Sequence, residues 1–300
     1  MNKPSAVTSP FRRVIPVCRR RNFRCAACDA FIQIRKLAAY HLDMIAQFAI
    51  LLTLGMSLMW ALMPRSQVTS GFFRIQMMIA MALSVLALLT LGQLTSQTGQ
   101  QGDQLLLLAR VCAGLSALTG YVGSVLWMLN RRSGGTVCAF SILILSLLCL
   151  VSCCGGFDAI TTASGSFLVV SHVATAAVLG GAVTGMLLGH WYLTAPTMSI
   201  EPLKKLSLLF AGAVIFRLLV SIAGWLLAGN SLAGGTIWTW FALRWLAGII
   251  CPLVIAMMAL QILRYRNTQA ATGVLFAGVI LTFIGEMSAA LLYYELHVPL

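Results

Sequence analysis

Eight long apolar runs, separated by short polar breaks, constrain the fold more than any other feature of the sequence. The runs lie at about residues 44–63, 72–94, 104–129, 136–154, 166–194, 206–228, 236–263 and 270–296. A helix needs about 20 apolar residues to cross the hydrocarbon core of a bilayer, and each run is about that long. Because the breaks carry glycine, proline and serine, which end helices, the sequence predicts an all-α bundle of eight transmembrane helices, α1 to α8, embedded in the lipid bilayer.

Composition excludes a soluble protein. Hydrophobic residues make up 60% of the chain and charged residues only 9%, which is typical of membrane proteins. Eight spans use most of the 300 residues, so no room is left for a soluble catalytic domain. The net charge of +13 would suggest nucleic-acid binding in a soluble protein. Here the charge reflects basic loops, and we expect no nucleic-acid partner.

Basic residues alternate between successive loops. Those at the turns after α1, α3, α5 and α7 are Arg65, Arg74, Arg131, Arg132, Lys204, Lys205, Arg264 and Arg266. The other three loops, 95–103, 155–165 and 229–235, contain no Lys or Arg. Since basic loops stay in the cytoplasm, we expect a multi-pass protein of a bacterial cell membrane, with both ends of the helix bundle outside the cytoplasm.

Residues 1–43 conflict with this topology. They contain nine of the 20 Lys and Arg residues, and such a basic segment should itself stay in the cytoplasm. Three interpretations are open: the start codon is misassigned and the protein begins near Met44, the segment is a cleaved targeting peptide, or it is an external basic tail. Its Cys18, Cys25 and Cys28, with His41, are spaced too loosely to predict zinc, and we predict no metal site.

The remainder of the chain divides into two segments of four spans, 44–154 and 155–300.

A glycine ladder marks α5 as the central helix of the bundle. Gly181, Gly185 and Gly189 recur at every fourth position, a spacing that lets a neighbouring helix approach closely in membranes. We predict a packing role for this ladder and no binding site.

Haem is the first cofactor that the histidines suggest. His172 and His190 are five helical turns apart in α5 and lie on one face. Two bis-histidine haems would need two further histidines on other spans, and the sequence offers only His41, before α1, and His297, at the end of α8. The count excludes a diheme site and argues against haem. One haem with a methionine or His297 as second ligand is the alternative left open.

Three charged residues lie deep within predicted spans: Arg217 in α6, Arg244 in α7 and Glu286 in α8. Ionisable residues at membrane depth are costly, usually paired and functional. A rise of about 1.5 Å per residue from the connecting turns places all three in one layer of the outer half of the membrane. His172 and Arg110 lie slightly nearer the outer surface. Either the excess guanidinium donors bind a ligand with carbonyl or anionic oxygens, or Arg244 and Glu286 form a structural ion pair.

Three short motifs of the second half are LGGAVTGMLLGHWYL (Leu179–Leu193), FALRWLAG (Phe241–Gly248) and FIGEMSAALLYYELHVPL (Phe283–Leu300). They resemble the membrane-anchor subunits of the polysulfide reductase and dimethyl sulfoxide reductase family, eight-helix proteins that exchange electrons with quinones. That family often ends in a Gly-Glu pair followed by an aromatic pair and a histidine. It commonly has an arginine a few positions after the glutamate, where this chain has Ala289 and Ala290.

The resemblance implies a quinone site in the outer half of the membrane. Arg217 and Arg244 would polarise the quinone oxygens, with Arg110 as a further candidate cofactor-binding residue. Glu286 or His172 would act as the acid or base that quinone chemistry requires. Electrons would come from an iron–sulfur or other redox partner subunit. The rival hypotheses are a small-molecule or ion transporter and a non-catalytic structural protein; no matching pair of broken helices favours a transporter.

Overall fold

The computed structural model describes residues 26–93, 100–195, 198–228 and 235–296, and the regular structure in these ranges is helical. Eight of the described helices are long and apolar enough to cross a membrane, which confirms the predicted fold class. Their bounds are Ala26–Leu62 for α1, Ser70–Gln93 for α2, Gln100–Met128 for α3, Arg132–Cys153 for α4, Ala163–Thr194 for α5, Glu201–Ala228 for α6 and Thr268–Leu296 for α8. The chain is an integral, multi-pass membrane protein.

Helix α7 is irregular. It consists of an α-helix, Gly235–Trp245, a π-helical turn, Leu246–Ile250, and a second α-helix, Cys251–Arg264. A short helix, Gly156–Thr161, joins α4 to α5. The apolar span of α1, Leu42–Leu62, begins close to the predicted start, although the helix itself extends back to Ala26.

Several predictions concern residues that the structure does not describe. The basic segment up to residue 25 and the possible haem ligand His297 lie outside the described ranges. The three interpretations of the N-terminal segment therefore stay predictions. So does the assignment of the basic loops to the cytoplasm, because it rests on the charge pattern.

The described spans form two rings of four helices. In the first ring, α1 and α3 each contact α2 and α4; in the second ring, α5 and α7 each contact α6 and α8. The rings meet along α1 and α5. We call the end of the bundle where α1 ends and α2 begins the basic side, and the opposite end the cavity side. The basic side carries Arg65, Arg131, Arg132, Lys204, Lys205, Arg264 and Arg266.

Glycines make α5 the central helix, as the ladder predicted. A Cβ added to Gly180 would lie 2.0 Å from the backbone carbonyl carbon of Gly55, so α1 and α5 touch backbone to backbone. Within the ladder, Gly181 packs against Phe210 of α6, and Gly189 packs against α8. Small residues of this kind allow the close helix packing that is common in membranes. The ladder therefore serves packing.

Candidate functional site

Glu286 lies at the centre of a buried charged cluster. Its Oε1 accepts a hydrogen bond from Nη1 of Arg244 at 2.8 Å, and Nε and Nη2 of Arg217 donate to the carboxylate at 3.5 Å. The Thr175 hydroxyl donates to Oε2 at 2.9 Å. The exposed fractions of Arg244, Arg217 and Glu286 are 0%, 2% and 5%. The structure thus brings together the three charged residues that helix rise placed in one layer.

A close helix crossing positions Arg244 against Glu286. A Cβ added to Gly285 would lie 2.0 Å from the Cα of Gly248, so α7 and α8 touch at the residue before Glu286. A Cβ on Gly248 would lie 2.7 Å from Nη1 of Arg244, so any larger residue there would obstruct the guanidinium. The π-helical turn Leu246–Ile250 begins two residues after Arg244. Such turns are frequent at functional sites.

Serine hydroxyls complete part of the cluster. Nη1 of Arg217 donates to Ser171 at 2.9 Å, and Nη2 of Arg244 donates to Ser221 at 3.1 Å. The Nε of Arg244 is buried and has no hydrogen-bond partner among the described residues. The ion pair of the structural hypothesis is present, between Arg244 and Glu286. With two guanidiniums against one carboxylate, the cluster keeps a net positive charge.

A cavity of about 290 Å³ opens beside this cluster, between α1, α5, α6 and α8. Arg217, Glu286, His172 and Thr175 form part of its polar wall. The rest of the wall is largely apolar and includes Phe48, Leu51, Leu168, Leu179 and Met287. Apolar walls with a few convergent polar groups are typical of small-molecule sites, which begin at about 300 Å³. The cavity is therefore the candidate binding site.

His172 belongs to this cavity. The side-chain amide of Gln47 in α1 hydrogen-bonds to Nε2 of His172. Nδ1 of His172 lies 3.7 Å from Sγ of Cys154, just beyond the end of α4. Asp43, one turn before Gln47, lines the same cavity and is exposed. A polar path of Asp43, Gln47 and His172 thus leads along the wall from the exposed mouth towards Arg217 and Glu286.

Two predicted cofactor-binding residues lie away from the cavity. Arg244 does not line the cavity, but its Nη1 donates to Glu286, which does. Arg110 is also absent from the lining, and its Nε donates to the carbonyl oxygen of Leu91, which ties α3 to α2. Neither arginine, although the sequence suggested a direct ligand contact for both, lies on the wall of this cavity. Helix rise gives the depth of a residue in the membrane, but not the direction of its side chain.

Sequence reasoning missed the contribution of α1. The site was predicted mostly within α6 to α8, yet Asp43, Gln47 and Phe48 of α1 line the cavity. The available signal was the pair Asp43 and Gln47, polar residues one turn apart at the start of an apolar run and hence on one helix face. Tyr293 of α8, one turn from Ala289, is a further lining residue that was not singled out.

Neither a metal centre nor a known relative defines this site. Among the described residues, no group of three or more His, Cys, Asp or Glu side chains is arranged to hold a metal ion. No family model, no curated protein and no solved structure matches this chain. The interpretation of the cavity therefore rests on its own geometry and chemistry.

Proposed function

We propose that this protein is a quinone-binding membrane-anchor subunit of an electron-transfer complex. The observation that carries the proposal is a cavity of about 290 Å³ whose apolar walls lie beside Arg217, Glu286 and His172. A quinone head group is flat and largely apolar, with oxygen acceptors at opposite edges, and therefore needs apolar walls and donors at one end. The resemblance of the second half to quinone-reactive anchor subunits supports the same interpretation.

Arg217 is the donor that faces the cavity. It is cationic and 2% exposed, and its position is fixed by Glu286 and Ser171. A fixed cationic donor in a site shielded from water stabilises the negative charge that develops on a quinone oxygen during reduction. Arg244 acts indirectly in this proposal, because it holds the carboxylate that orients Arg217.

His172 is better placed than Glu286 to exchange the proton. Glu286 accepts hydrogen bonds from two arginines and Thr175, and protonating it would weaken the contacts that hold the cluster together. His172 faces the cavity, and its bond to Gln47 leads towards the exposed Asp43. A general acid or base must lie within hydrogen-bonding reach of the reacting oxygen. The proposal therefore assigns proton exchange to His172.

Electron delivery is assigned to a partner subunit, such as an iron–sulfur protein. Reduction of a quinone to a quinol takes up two electrons and two protons. The residues that line the cavity would supply hydrogen bonds and shape, and His172 would pass both protons in turn from the exposed mouth of the cavity. The chain would then bind and orient the quinone, and the partner would carry the electrons.

The test is quinone binding to the purified protein in nanodiscs, measured by extraction of bound quinone and by the thermal shift on adding quinone analogues. We expect Arg217→Gln to weaken binding by about 1.5–3 kcal/mol, the range for a hydrogen bond to a charged group. The matched control is Arg110→Gln. It removes a half-buried arginine that does not line the cavity, so it should leave quinone binding unchanged.

A second variant guards against loss of folding. Ala290→Phe narrows the cavity without changing any charge, so a folded Ala290→Phe protein should lose quinone binding. Absence of bound quinone in the parent protein, together with no thermal shift, would contradict the proposal. Equal affinity of the parent and Arg217→Gln proteins would remove Arg217 from the site. A thermal shift with polar solutes but none with quinones would favour the transporter hypothesis.

A further inference from the structure

The first ring contains a second polar feature at its centre. Each of its four helices contributes one hydroxyl to a small cavity of about 10 Å³: Thr53 from α1, Ser84 from α2, Ser116 from α3 and Ser146 from α4. Each of these side chains is only 3% exposed. We call them the hydroxyl ring. No residue of the hydroxyl ring lines the larger cavity, so the two sites are separate.

One hydroxyl of the ring has no hydrogen-bond partner among the described residues. The hydroxyl of Thr53 donates to the carbonyl oxygen of Ala49 at 2.8 Å, and that of Ser146 donates to Leu143 at 3.1 Å. Both hydrogens are used within their own helices, but both oxygens can still accept. The Oγ of Ser116 is buried and has no hydrogen-bond partner in the described chain. In the described part of the chain, the Ser116 hydroxyl thus has no partner, and the Thr53 and Ser146 oxygens can accept a hydrogen bond but have no hydrogen left to donate.

We propose that the hydroxyl ring binds a single water molecule. Water can accept from Ser116 and donate to Thr53 and Ser146, which gives it the usual number of about three hydrogen bonds. The volume of about 10 Å³ matches the smallest space that holds one water, about 10–15 Å³. An unpaired hydroxyl in the membrane interior is costly, so hydration stabilises this site.

A metal cation fits the hydroxyl ring less well than water. The lining consists of the four hydroxyl residues with Ile50, Ala87, Ala113 and Cys149, and it contains no carboxylate. A cation at this depth would have no opposite charge beside it, and an unpaired charge in the membrane interior is costly. The bound water would link α1, α3 and α4 of the first ring. It therefore fixes α1, whose earlier residues line the larger cavity.

Cys149 offers a direct test, because it lines the same small cavity as the hydroxyl ring and its thiol is readily oxidised. Brief X-ray irradiation of the protein in nanodiscs produces hydroxyl radicals from bound water, and these oxidise side chains next to that water. We expect Cys149 to be oxidised several-fold faster than Cys138, which lies in the same helix and lines no described cavity. The exposed fractions of the two residues are 2% and 8%, so exposure alone predicts the opposite order. Equal rates, or a faster rate at Cys138, would overturn the proposal.

Paired serine variants provide an independent readout of the same water. Ser116→Ala removes one partner of the water, so we expect a lower melting temperature and slower oxidation of Cys149. Ser207→Ala is the control, because Ser207 is 1% exposed and its Oγ also has no hydrogen-bond partner among the described residues, but it lines neither of the two cavities. We expect this control to leave the melting temperature unchanged or to raise it. If Ser116→Ala also raises the melting temperature, the cavity is dry. If sodium changes the oxidation rate of Cys149, the ligand is a cation. Either result overturns the proposal.

Discussion

The two rings bury their polar groups in opposite ways. At the edge of the second ring, Arg217, Arg244 and Glu286 form a charged cluster beside a cavity of about 290 Å³. At the centre of the first ring, uncharged hydroxyls surround a cavity of about 10 Å³. Buried charges are expensive in a membrane and tend to be functional, whereas hydroxyls can bond within their own helices. The ligand site that we propose thus lies at the boundary between the rings, and the water site that we propose lies at the centre of the first ring.

The largest expected effect is that of neutralising Glu286. Glu286→Gln removes the carboxylate that pairs with the buried Arg244 and Arg217, and breaking a buried pair in this way costs about 3–5 kcal/mol. The free energy of unfolding, measured by denaturant titration in detergent, should fall accordingly. Glu201→Gln is the control, because Glu201 pairs with Lys204 at the exposed surface and such pairs contribute little. A Glu286→Gln protein as stable as the parent would show that charge does not hold the cluster together.

The next effect concerns the helix crossing that supports the cluster. Gly285→Ala places a methyl group 2.0 Å from the Cα of Gly248, and overpacking of this kind costs about 1–3 kcal/mol. The variant should also weaken quinone binding, because α7 and α8 must separate near Glu286. The same substitution at Gly273, in the same helix but with no atom within 4 Å of the added Cβ, should be neutral or stabilising. Equal thermal stability of the two variants would argue against a strict need for this contact.

An effect of opposite sign is expected in the first ring. Gln76 of α2 is 0% exposed, and neither atom of its amide has a hydrogen-bond partner in the described chain. Gln76→Met removes the unpaired amide at similar size, which should raise the free energy of unfolding by about 1–3 kcal/mol. Gln93→Met, at the exposed end of α2, should change it little. A destabilised Gln76→Met protein would mean that the first ring holds more bound water than the hydroxyl ring alone.

Much of the fold and part of the site could be predicted from the sequence. Short loops make consecutive spans antiparallel, so counting residues from the turns gave Arg217, Arg244 and Glu286 a common depth, and the structure joins them. The glycine spacing of α5 likewise predicted its central packing. Depth and spacing are one-dimensional properties, and they are written directly in the sequence.

The parts of the site that were not predicted depend on the direction of a side chain or on a contact between residues far apart in the chain. The residue count gave Arg110 a depth but not its position around α3, and in the structure its Nε donates to the carbonyl oxygen of Leu91. Residues of α1 line the cavity because α1 packs against α5 where Gly55 contacts Gly180. These two glycines are far apart in the chain. Serines in apolar helices are common, so Ser116 gave no sign of the hydroxyl ring until four helices came together.

The most direct measurement of the central claim is photoaffinity labelling with an azido-quinone, followed by mass spectrometry of the labelled peptides. The quinone site predicts labels on residues that line the large cavity, such as Phe48 of α1 and Met287 of α8. Excess unlabelled quinone should remove these labels. Labels spread over the lipid-facing surface, unaffected by competing quinone, would contradict a quinone site in this cavity.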